Sequence, residues 1–226
     1  MKHEKITTVL VAARLDNMYT AYIKKLFGPK TEIVVFNENE YHSTLDLIFL
    51  TGGADVDPSL YNERKGSQTH VNEKRDTLER LMVRSYNYVP KLGICRGAQF
   101  LTALAGGKLV QHVNGHSSSH SIQTSFKMAP GHFKKYEMSS SHHQMMYPYN
   151  LPTAKFKLLA WSEYHKSTTY LNGHNNEIEL PTAFLEPEIV YYPELEALCI
   201  QGHPEYSSVP DETVEFTNQL IKEFLL

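Results

Sequence analysis

Apolar residues in the first half of the chain alternate between short continuous runs and stretches with helical spacing. Continuous apolar runs of about four to eight residues predict buried strands, and the helically spaced stretches between them predict amphipathic helices. Runs joined in this order favour a parallel sheet with helices on both faces. The predicted strands are 6–13, 31–37, 44–53 and 89–95, and the predicted helices are 17–28, 72–87 and 96–105.

The second half of the chain has a different pattern, in which shorter strand-like runs are separated by polar turns. The final segment, 210–226, has helical spacing with the acidic Asp211 at its start. We therefore expect one α/β domain over residues 1–226, a three-layer sandwich around a mostly parallel sheet with a small antiparallel extension. The strand-like runs of this half are 156–164, 167–173, 177–186, 188–193 and 196–205.

Composition narrows the classes of partner. The 226 residues are 41% hydrophobic, and the formal net charge is −3 at pH 7. This balance does not favour a nucleic acid or a membrane surface, because both attract basic proteins. The first apolar run is too short, and too soon followed by charge, to be a signal peptide. Two cysteines do not make a disulfide framework, so we expect a cytoplasmic location.

Cys95 occupies the corner between a predicted strand and a predicted helix, with Gly93 and Gly97 two positions away on either side. Glycines let a chain turn sharply without Cβ clashes, and nucleophile elbows use the same device around serine. The corner would expose the thiol at the carboxyl end of the sheet, where a helix N-terminus favours the thiolate. A buried, inert cysteine is the alternative. Cys199, in an apolar run, is assigned to the core.

Two further stretches could supply the groups that a thiol nucleophile needs. His203 follows a predicted strand, and Glu205 stands two residues later, so in extended backbone the carboxylate can reach the imidazole. Gly52 and Gly53 end a predicted strand and can offer a backbone N–H to a developing oxyanion. Each stretch alone is equally compatible with an ordinary turn.

The stretches TGGADVDPSLY, Arg75-Asp76, LGICRGAQFL, SSSHHQ and QGHPE follow one another between Thr51 and Glu205. In order and approximate spacing, the sequence resembles the class I glutamine amidotransferase-like superfamily. It is most similar to the γ-glutamyl hydrolase branch, peptidase family C26, which includes γ-glutamyl-γ-aminobutyrate hydrolases. The resemblance implies a flavodoxin-like fold and no cofactor.

The resemblance also implies the roles of the catalytic residues. Cys95 would be the nucleophile, His203 the general base and later the general acid, and Glu205 the group that orients His203. The backbone amides of Gly53 and Arg96 would form the oxyanion hole.

Further residues match the substrate pocket of the family. The resemblance places Gln99 one helical turn after the nucleophile, where it would help to hold the glutamyl part of the substrate. It places Ser140, Ser141 and His142 in the loop that lines the glutamyl pocket. Asp76 would bind the α-amino group of the substrate.

Two positions depart from the family pattern. Gly202 stands where the family usually has a large aromatic residue before His-Pro-Glu, and Ser141 replaces an aromatic residue of the pocket loop. We expect the missing side chain at Gly202 to enlarge or loosen the pocket and to leave the catalytic atoms in place.

Three functions fit this resemblance. The first is a freestanding γ-glutamyl hydrolase, and the second is a glutaminase unit that passes ammonia to a separate synthetase. The third is a non-catalytic binding relative, against which the intact Cys-His-Glu set argues. The expected partner is a small molecule, either glutamine or a γ-glutamyl amine. A synthetase and a second copy of the chain, in a homodimer, are further candidates.

His112, His116 and His120 are spaced four residues apart, which on a helix would place them on one face, as in a zinc site. The intervening Asn114-Gly115 and Ser117–Ser119 favour a loop instead. No carboxylate or cysteine lies nearby in the sequence to complete a set of ligands. We therefore expect a solvated loop near the mouth of the pocket, and no metal site.

Overall fold

Strands and helices alternate through the first half of the computed structural model, which describes residues 6–226. The strands are β1 (Thr8–Val11), β2 (Glu32–Val35), β3 (Leu47–Leu50), β4 (Lys91–Ile94), β5 (Lys108–Val110), β6 (His112–Val113), β7 (His120–Thr124), β8 (Lys134–Met138), β9 (Met145–Tyr147), β10 (Lys157–Ser162), β11 (Tyr170–Leu171), β12 (Pro187–Tyr192) and β13 (Ala197–Ile200). The helices are α1 (Asn17–Phe27), α2 (Glu73–Ser85), α3 (Arg96–Leu104) and α4 (Asp211–Leu225).

Parallel strands build one half of the largest sheet, in the order β2-β1-β3-β4-β13. β4 and β13 are neighbours, and Ile94 at the end of one lies opposite Ile200 at the end of the other. Neighbouring parallel strands end at the same edge of a sheet, and in open α/β folds that edge is where ligands bind. The pairing therefore brings Cys95 and the segment that contains His203 together.

Antiparallel strands continue the same sheet beyond β13, in the order β12-β10-β7-β8. Two short sheets stand apart from it, one formed by β5 and β9 and the other by β6 and β11. The expected α/β architecture, with a mostly parallel sheet and an antiparallel extension, is confirmed.

Side chains of the parallel strands alternate between two apolar cores. In β1, Val9 and Val11 belong to a core that includes residues of α1 and α4. Leu10, between them, belongs to a second core that includes residues of α2 and α3. Because both faces are covered, these strands appear in the sequence as continuous apolar runs.

The elements of the first half lie where the hydrophobic pattern predicts them, within a few residues. Helix α1 ends at Gly28, whose φ of 107° lies in the region that favours glycine. The last predicted helix is also present, with Asp211 in its first turn. In the second half, one prediction is wrong, because residues 177–186 form a single bridge at Glu177 and otherwise no strand.

The expected solvated histidine loop is also wrong. His112 begins β6 and His120 begins β7, in which alternate side chains are buried. His116, between these strands, is 1% exposed and His120 is 5% exposed. The carboxylates that accompany these rings come from β12 and the residue before it, so nothing in the neighbouring sequence indicated them.

Both cysteines are free thiols. Cys199 lies in β13 within the second core, as expected, and burial raises the pKa of its thiol. Among residues 6–226, no helix combines the length and the apolar character that crossing a bilayer requires.

Candidate active site

Cys95 stands on a sharp turn between β4 and α3. Its φ of 50° and ψ of −109° are unusual for a residue that has a side chain. A Cβ on Gly93 would lie 2.6 Å from the carbonyl carbon of Gly97, and a Cβ on Gly97 would collide with the carbonyl oxygen of Leu50. The strained corner is held by this close packing, and it has the geometry that the glycine pattern predicts.

His203 lies beside the thiol and is held from two sides. Its Nδ1 lies 2.7 Å from Oε1 of Glu205, and its backbone N–H donates to the carbonyl of Ser139 at 2.8 Å. Burial by itself would lower the pKa of His203, but its hydrogen bonds to Cys95 and Glu205 raise that pKa to about 10. Because Nδ1–H donates to the carboxylate, Nε2 is the ring nitrogen that is available to the thiol.

The backbone of Gly52 and Gly53 lies against the same two groups. A Cβ on Gly52 would stand 3.3 Å from Cε1 of His203 and 3.6 Å from Cβ of Cys95. Gly53 has a φ of 144°, and a Cβ there would collide with the guanidinium of Arg75. The two glycines therefore allow the chain to approach the thiol closely.

Tyr19, on α1, is a residue of the site that sequence reasoning missed. Its hydroxyl accepts a hydrogen bond from the backbone nitrogen of Gly52 at 2.9 Å. Burial and then the negative charge of Glu205 raise the pKa of the Tyr19 phenol. Tyr19 thus contacts the glycine loop and lies near Glu205, the carboxylate partner of His203. Its position on an apolar helix face indicated only a core residue.

Arg96, the residue after the thiol, turns its side chain into a buried ion-pair network. The guanidinium pairs with both Asp76 and Glu79 of α2. Arg75 pairs with Glu79 at 2.7 Å and donates to the carbonyl of Gly52 at 2.9 Å. The network joins α2 to the start of α3 and to the glycine loop.

Asp76 lies in a different place from the one that its expected role requires. One of its carboxylate oxygens pairs with Arg96, and the other accepts the backbone N–H of Asp57 at 3.0 Å. The residue is 4% exposed. Among residues 6–226, those that line the cavity beside the thiol include Asp55 and not Asp76, so the position of Asp76 does not fit the binding of a substrate amino group in that cavity.

A cavity of about 220 Å³ opens beside the thiol. Gln99, Ser141 and His142, three of the residues expected to bind substrate, line this cavity together with Cys95 and Gly53. Five of the ten predicted site residues therefore line one cavity.

Ser140 and Gln99 fix the loop that lines this cavity. Ser140 is buried, and its hydroxyl donates to the carbonyl of His116 at 3.2 Å. The side-chain amide of Gln99 donates to the carbonyl of Gln144 at 2.8 Å, which ties α3 to the loop. Ser140 thus supports the loop from behind and does not line the cavity.

Asp55 is a charged residue of the cavity wall that sequence reasoning did not single out. One of its oxygens lies 3.0 Å from Nε2 of His143, and the other accepts the backbone N–H of His70 at 2.8 Å. The hydrogen bond to Asp55 raises the pKa of His143. Asp55 belongs to the stretch TGGADVDPSLY, which is one of the stretches that carry the family resemblance.

A comparison with protein families assigns the chain. The sequence model of the family described as Peptidase C26 matches residues 8–165. The chain belongs to the peptidase C26 family. The matched span contains Cys95 and ends before His203.

Curated relatives of this C26 family member resemble it over part of their length. It is 32% identical over 128 residues to "Putative glutamine amidotransferase-like protein YvdE" of Lactococcus lactis, which covers 49% of the chain and 54% of the relative. It is 36% identical over 95 residues to "Putative glutamine amidotransferase Rv2859c" of Mycobacterium tuberculosis, which covers 39% and 31%. These matches therefore span about half, or less, of the relatives.

Solved structures show that this C26 family member shares the glutamine amidotransferase fold. A structure from Thermoplasma acidophilum, described as a putative GMP synthase subunit, has a TM-score of 0.61 at 19% identity, with 97% of this chain and 95% of that chain covered. A glutamine amidotransferase of Thermotoga maritima has a TM-score of 0.53 at 14% identity, with 98% and 84% covered.

Gly202 does not open the pocket of this C26 family member. A Cβ on Gly202 would collide with Cγ of Met138 and stand 2.8 Å from the carbonyl oxygen of Ser139. Met138, which is fully buried, fills the space beside Gly202. The expectation of a larger or looser pocket at this position is therefore wrong.

Proposed function

We propose that the protein hydrolyses the amide bond of a γ-glutamyl compound, with Cys95 as the nucleophile. The observation that carries this proposal is the strained Cys95 corner beside a histidine whose other ring nitrogen is held by Glu205. A thiol, a base and an orienting carboxylate are the parts that nucleophilic acyl transfer requires. Family membership and the shared fold support the same chemistry.

The reaction begins with the Cys95 thiol and His203. Nε2 of His203 already holds the proton that the Cys95–His203 pair shares, so the sulfur attacks the δ-carbonyl carbon of the substrate. The amides of Gly53 and Arg96 stabilise the resulting oxyanion, and each such donor is typically worth about 10²–10³ in rate. Gly53 is favoured over Gly52 for this role because the Gly52 amide already donates to Tyr19.

Collapse of the tetrahedral intermediate breaks the C–N bond. Protonated His203 gives its proton to the departing nitrogen, which leaves as a neutral amine or as ammonia, and a γ-glutamyl thioester remains on Cys95. His203 then takes a proton from water, the hydroxide attacks the thioester, and the thiol returns as glutamate leaves.

The cavity suits the glutamyl part of such a substrate. Its volume of about 220 Å³ lies below the roughly 300–1,000 Å³ of sites for drug-sized ligands. The Asp55 carboxylate on its wall offers a negative charge for the α-ammonium group. We assign this contact to Asp55 in place of Asp76.

A hydrolysis panel on the isolated chain tests the proposal. We expect release of glutamate from glutamine or from γ-glutamyl amines by the parent and by Cys199→Ala, and none by Cys95→Ala. If the isolated chain is nearly silent but a glutamine-like diazo-ketone still alkylates Cys95, the thiol is competent and needs a separate synthetase. Absence of both hydrolysis and alkylation would indicate a non-catalytic binding protein and would contradict the proposal.

A further inference from the structure

A cluster of histidine and glutamate side chains lies behind the pocket loop. His116 comes from the turn between β6 and β7, and His142 comes from the loop before β9. Glu186 directly precedes β12, and Glu188 lies at the start of that strand. The side chains of His116, Glu186 and Glu188 are 0–1% exposed. Ionisable groups are rarely buried to this extent unless they are paired or bind a metal ion.

Several ring and carboxylate atoms of this cluster have defined partners. Nδ1 of His142 lies 2.8 Å from the carbonyl of Gln144, so Nδ1 carries the proton and Nε2 carries a lone pair. Oε1 of Glu188 lies 2.8 Å from Nε2 of His120. These contacts fix the orientation of both groups in the way that outer partners orient metal ligands.

Glu186 is the most fully bonded member of the cluster. Its carboxylate accepts backbone N–H groups from Lys166 at 2.8 Å and from Ser167 at 2.9 Å, and it accepts the hydroxyl of Tyr170 at 2.7 Å. Its remaining neighbour is Nε2 of His116, at 3.4 Å. A histidine that contacts a carboxylate through one nitrogen presents the other nitrogen with raised basicity, as metal-binding histidines do.

Other atoms of the same cluster are buried and have no hydrogen-bond partner. They are Nδ1 of His116, Nε2 of His142 and Oε2 of Glu188, while Nε2 of His116 has only its ionic contact with Glu186. Buried polar atoms are seldom left unpaired, since each one costs about 1–3 kcal/mol. Nε2 of His142 and Oε2 of Glu188 each present a lone pair. One metal ion between them would accept both lone pairs.

We propose that His116, His142 and Glu188 bind a divalent transition-metal ion, with Zn²⁺ as the best match to the ligands. One ligand atom from each of the three residues lies within 4.8 Å of the others. Two imidazoles and a carboxylate form a known zinc ligand set. Binding draws the three atoms to about 3.3 Å from one another, the spacing that follows from metal–ligand bonds of about 2.0–2.1 Å in a tetrahedral site.

A proton on His116 would provide a partner for fewer of the buried unpaired atoms than a metal ion would. The His116 and His142 rings stack with centroids 4.5 Å apart and planes at 26°, an arrangement that two imidazolium ions would oppose. A proton on His116 can serve the glutamates but leaves Nε2 of His142 without a donor. A metal ion engages the histidine lone pairs and Oε2 of Glu188 together, and its two positive charges balance Glu186 and Glu188.

The buried position gives the ion a structural role. His116 already accepts the backbone N–H of His142 at 2.9 Å and the hydroxyl of Ser140 at 3.2 Å through its carbonyl oxygen. The ion adds a cross-link from these two segments to β12 and so fixes the pocket wall from behind. The site shares His142 with the cavity beside Cys95, but the proposal does not rest on the thiol chemistry and holds whether or not Cys95 acts on a γ-glutamyl group.

Metal content of untagged protein tests the site directly. We expect about one Zn²⁺ per chain after expression in zinc-supplemented medium and gel filtration, measured by mass spectrometry of the metal. His174→Gln, which removes an exposed histidine, should retain the zinc and serves as the matched control. Glu188→Gln and His142→Gln should bind zinc at least about tenfold more weakly in competition with a chromophoric chelator.

Measurements on the parent protein keep the test decisive if a variant fails to fold. Metal-free parent should gain about 5–10 °C in Tm when Zn²⁺ alone is added at a hundredfold excess over its Kd. Co²⁺ should give the visible absorption of a low-coordinate site and should be displaced by Zn²⁺. A parent that binds no stoichiometric zinc, or a folded Glu188→Gln that binds it as tightly as the parent, would overturn the proposal.

Discussion

The hydroxyl of Tyr19 holds the backbone nitrogen of Gly52 at 2.9 Å, which couples α1 to the loop beside the thiol. Burial, and after it the negative charge of Glu205, raises the pKa of the same phenol. One tyrosine thus contacts the proposed oxyanion loop and lies close to the carboxylate that orients His203, although it is remote from both in sequence.

Tyr19→Phe should lower kcat for γ-glutamyl hydrolysis by about fivefold, because one hydrogen bond worth about 1 kcal/mol no longer positions the loop. KM should change much less. Steady-state kinetics on the best substrate of the panel would measure both. Tyr22→Phe, on the same helix, is the control, since its buried hydroxyl lies next to Thr217 of α4. Equal kcat losses in the two variants would contradict the positioning role.

Gly97→Ala should prevent the strand-to-helix corner from closing, because its Cβ would meet the backbone of Leu50. We expect a loss of about 3 kcal/mol or more in the free energy of unfolding, measured with urea. Gly131→Ala is the comparison, since Gly131 has open space around it and only a positive φ of 79° to strain an alanine. That variant should lose about 1 kcal/mol. A smaller loss at Gly97 than at Gly131 would argue against a sterically required corner.

His203 should remain protonated far above neutral pH. Its pKa in the folded protein is about 10, against about 6.5 in an unfolded chain. A raised histidine pKa stabilises the fold fully below about pH 6.5, and this contribution disappears as the pH rises through about 10. NMR titration of the ring should show the late midpoint, and the stability lead of the parent over His203→Gln should shrink over the same window.

Cys95→Ala should lower the His203 midpoint, since it removes one of the two groups that raise this pKa, while burial still lowers the pKa and Glu205 still raises it. Cys199→Ala should leave the midpoint unchanged. A His203 that titrates near 6.5 in the parent would show that the thiol and the imidazole do not interact as described.

Asp55 and Asp76 should have separable effects. Asp55→Asn should raise KM by about 10–100-fold for substrates with a free α-amino group, because a charge-assisted contact is worth about 1.5–3 kcal/mol. Asp76→Asn should instead lower the free energy of unfolding by about 3 kcal/mol, since it breaks the buried pair with Arg96. Kinetics and urea unfolding on both variants would distinguish the roles, and a KM effect confined to Asp76→Asn would restore the assignment from sequence.

The hydrophobic pattern was sufficient to predict the parallel half of the sheet and the corner at Cys95. Both depend on local features, namely apolar runs that are buried on two faces and glycines that flank a turn. The spacing of His203 and Glu205 was equally compatible with an ordinary turn, and their roles came from the family resemblance.

The contacts that the sequence did not reveal join distant segments. His116 was expected in solvent because its neighbours are serine, asparagine and glycine, whereas the glutamates that surround it are seventy residues or more further along the chain. The pairing of Asp76 with Arg96, twenty residues further along the chain, is another contact that the sequence does not reveal. The single-domain boundary, the homodimer and the cytoplasmic location stay predictions.

The place of β13 between β4 and β12 makes reactivity depend on the order in which the chain is built. The thiol is synthesised more than a hundred residues before the histidine that we propose activates it. Until β13 enters the sheet, the proposed base for Cys95 is not in place, and β12 has no strand that joins it to the parallel part of the sheet. A nascent or truncated chain would therefore carry a dormant thiol, and the final assembly step of the sheet would switch it on.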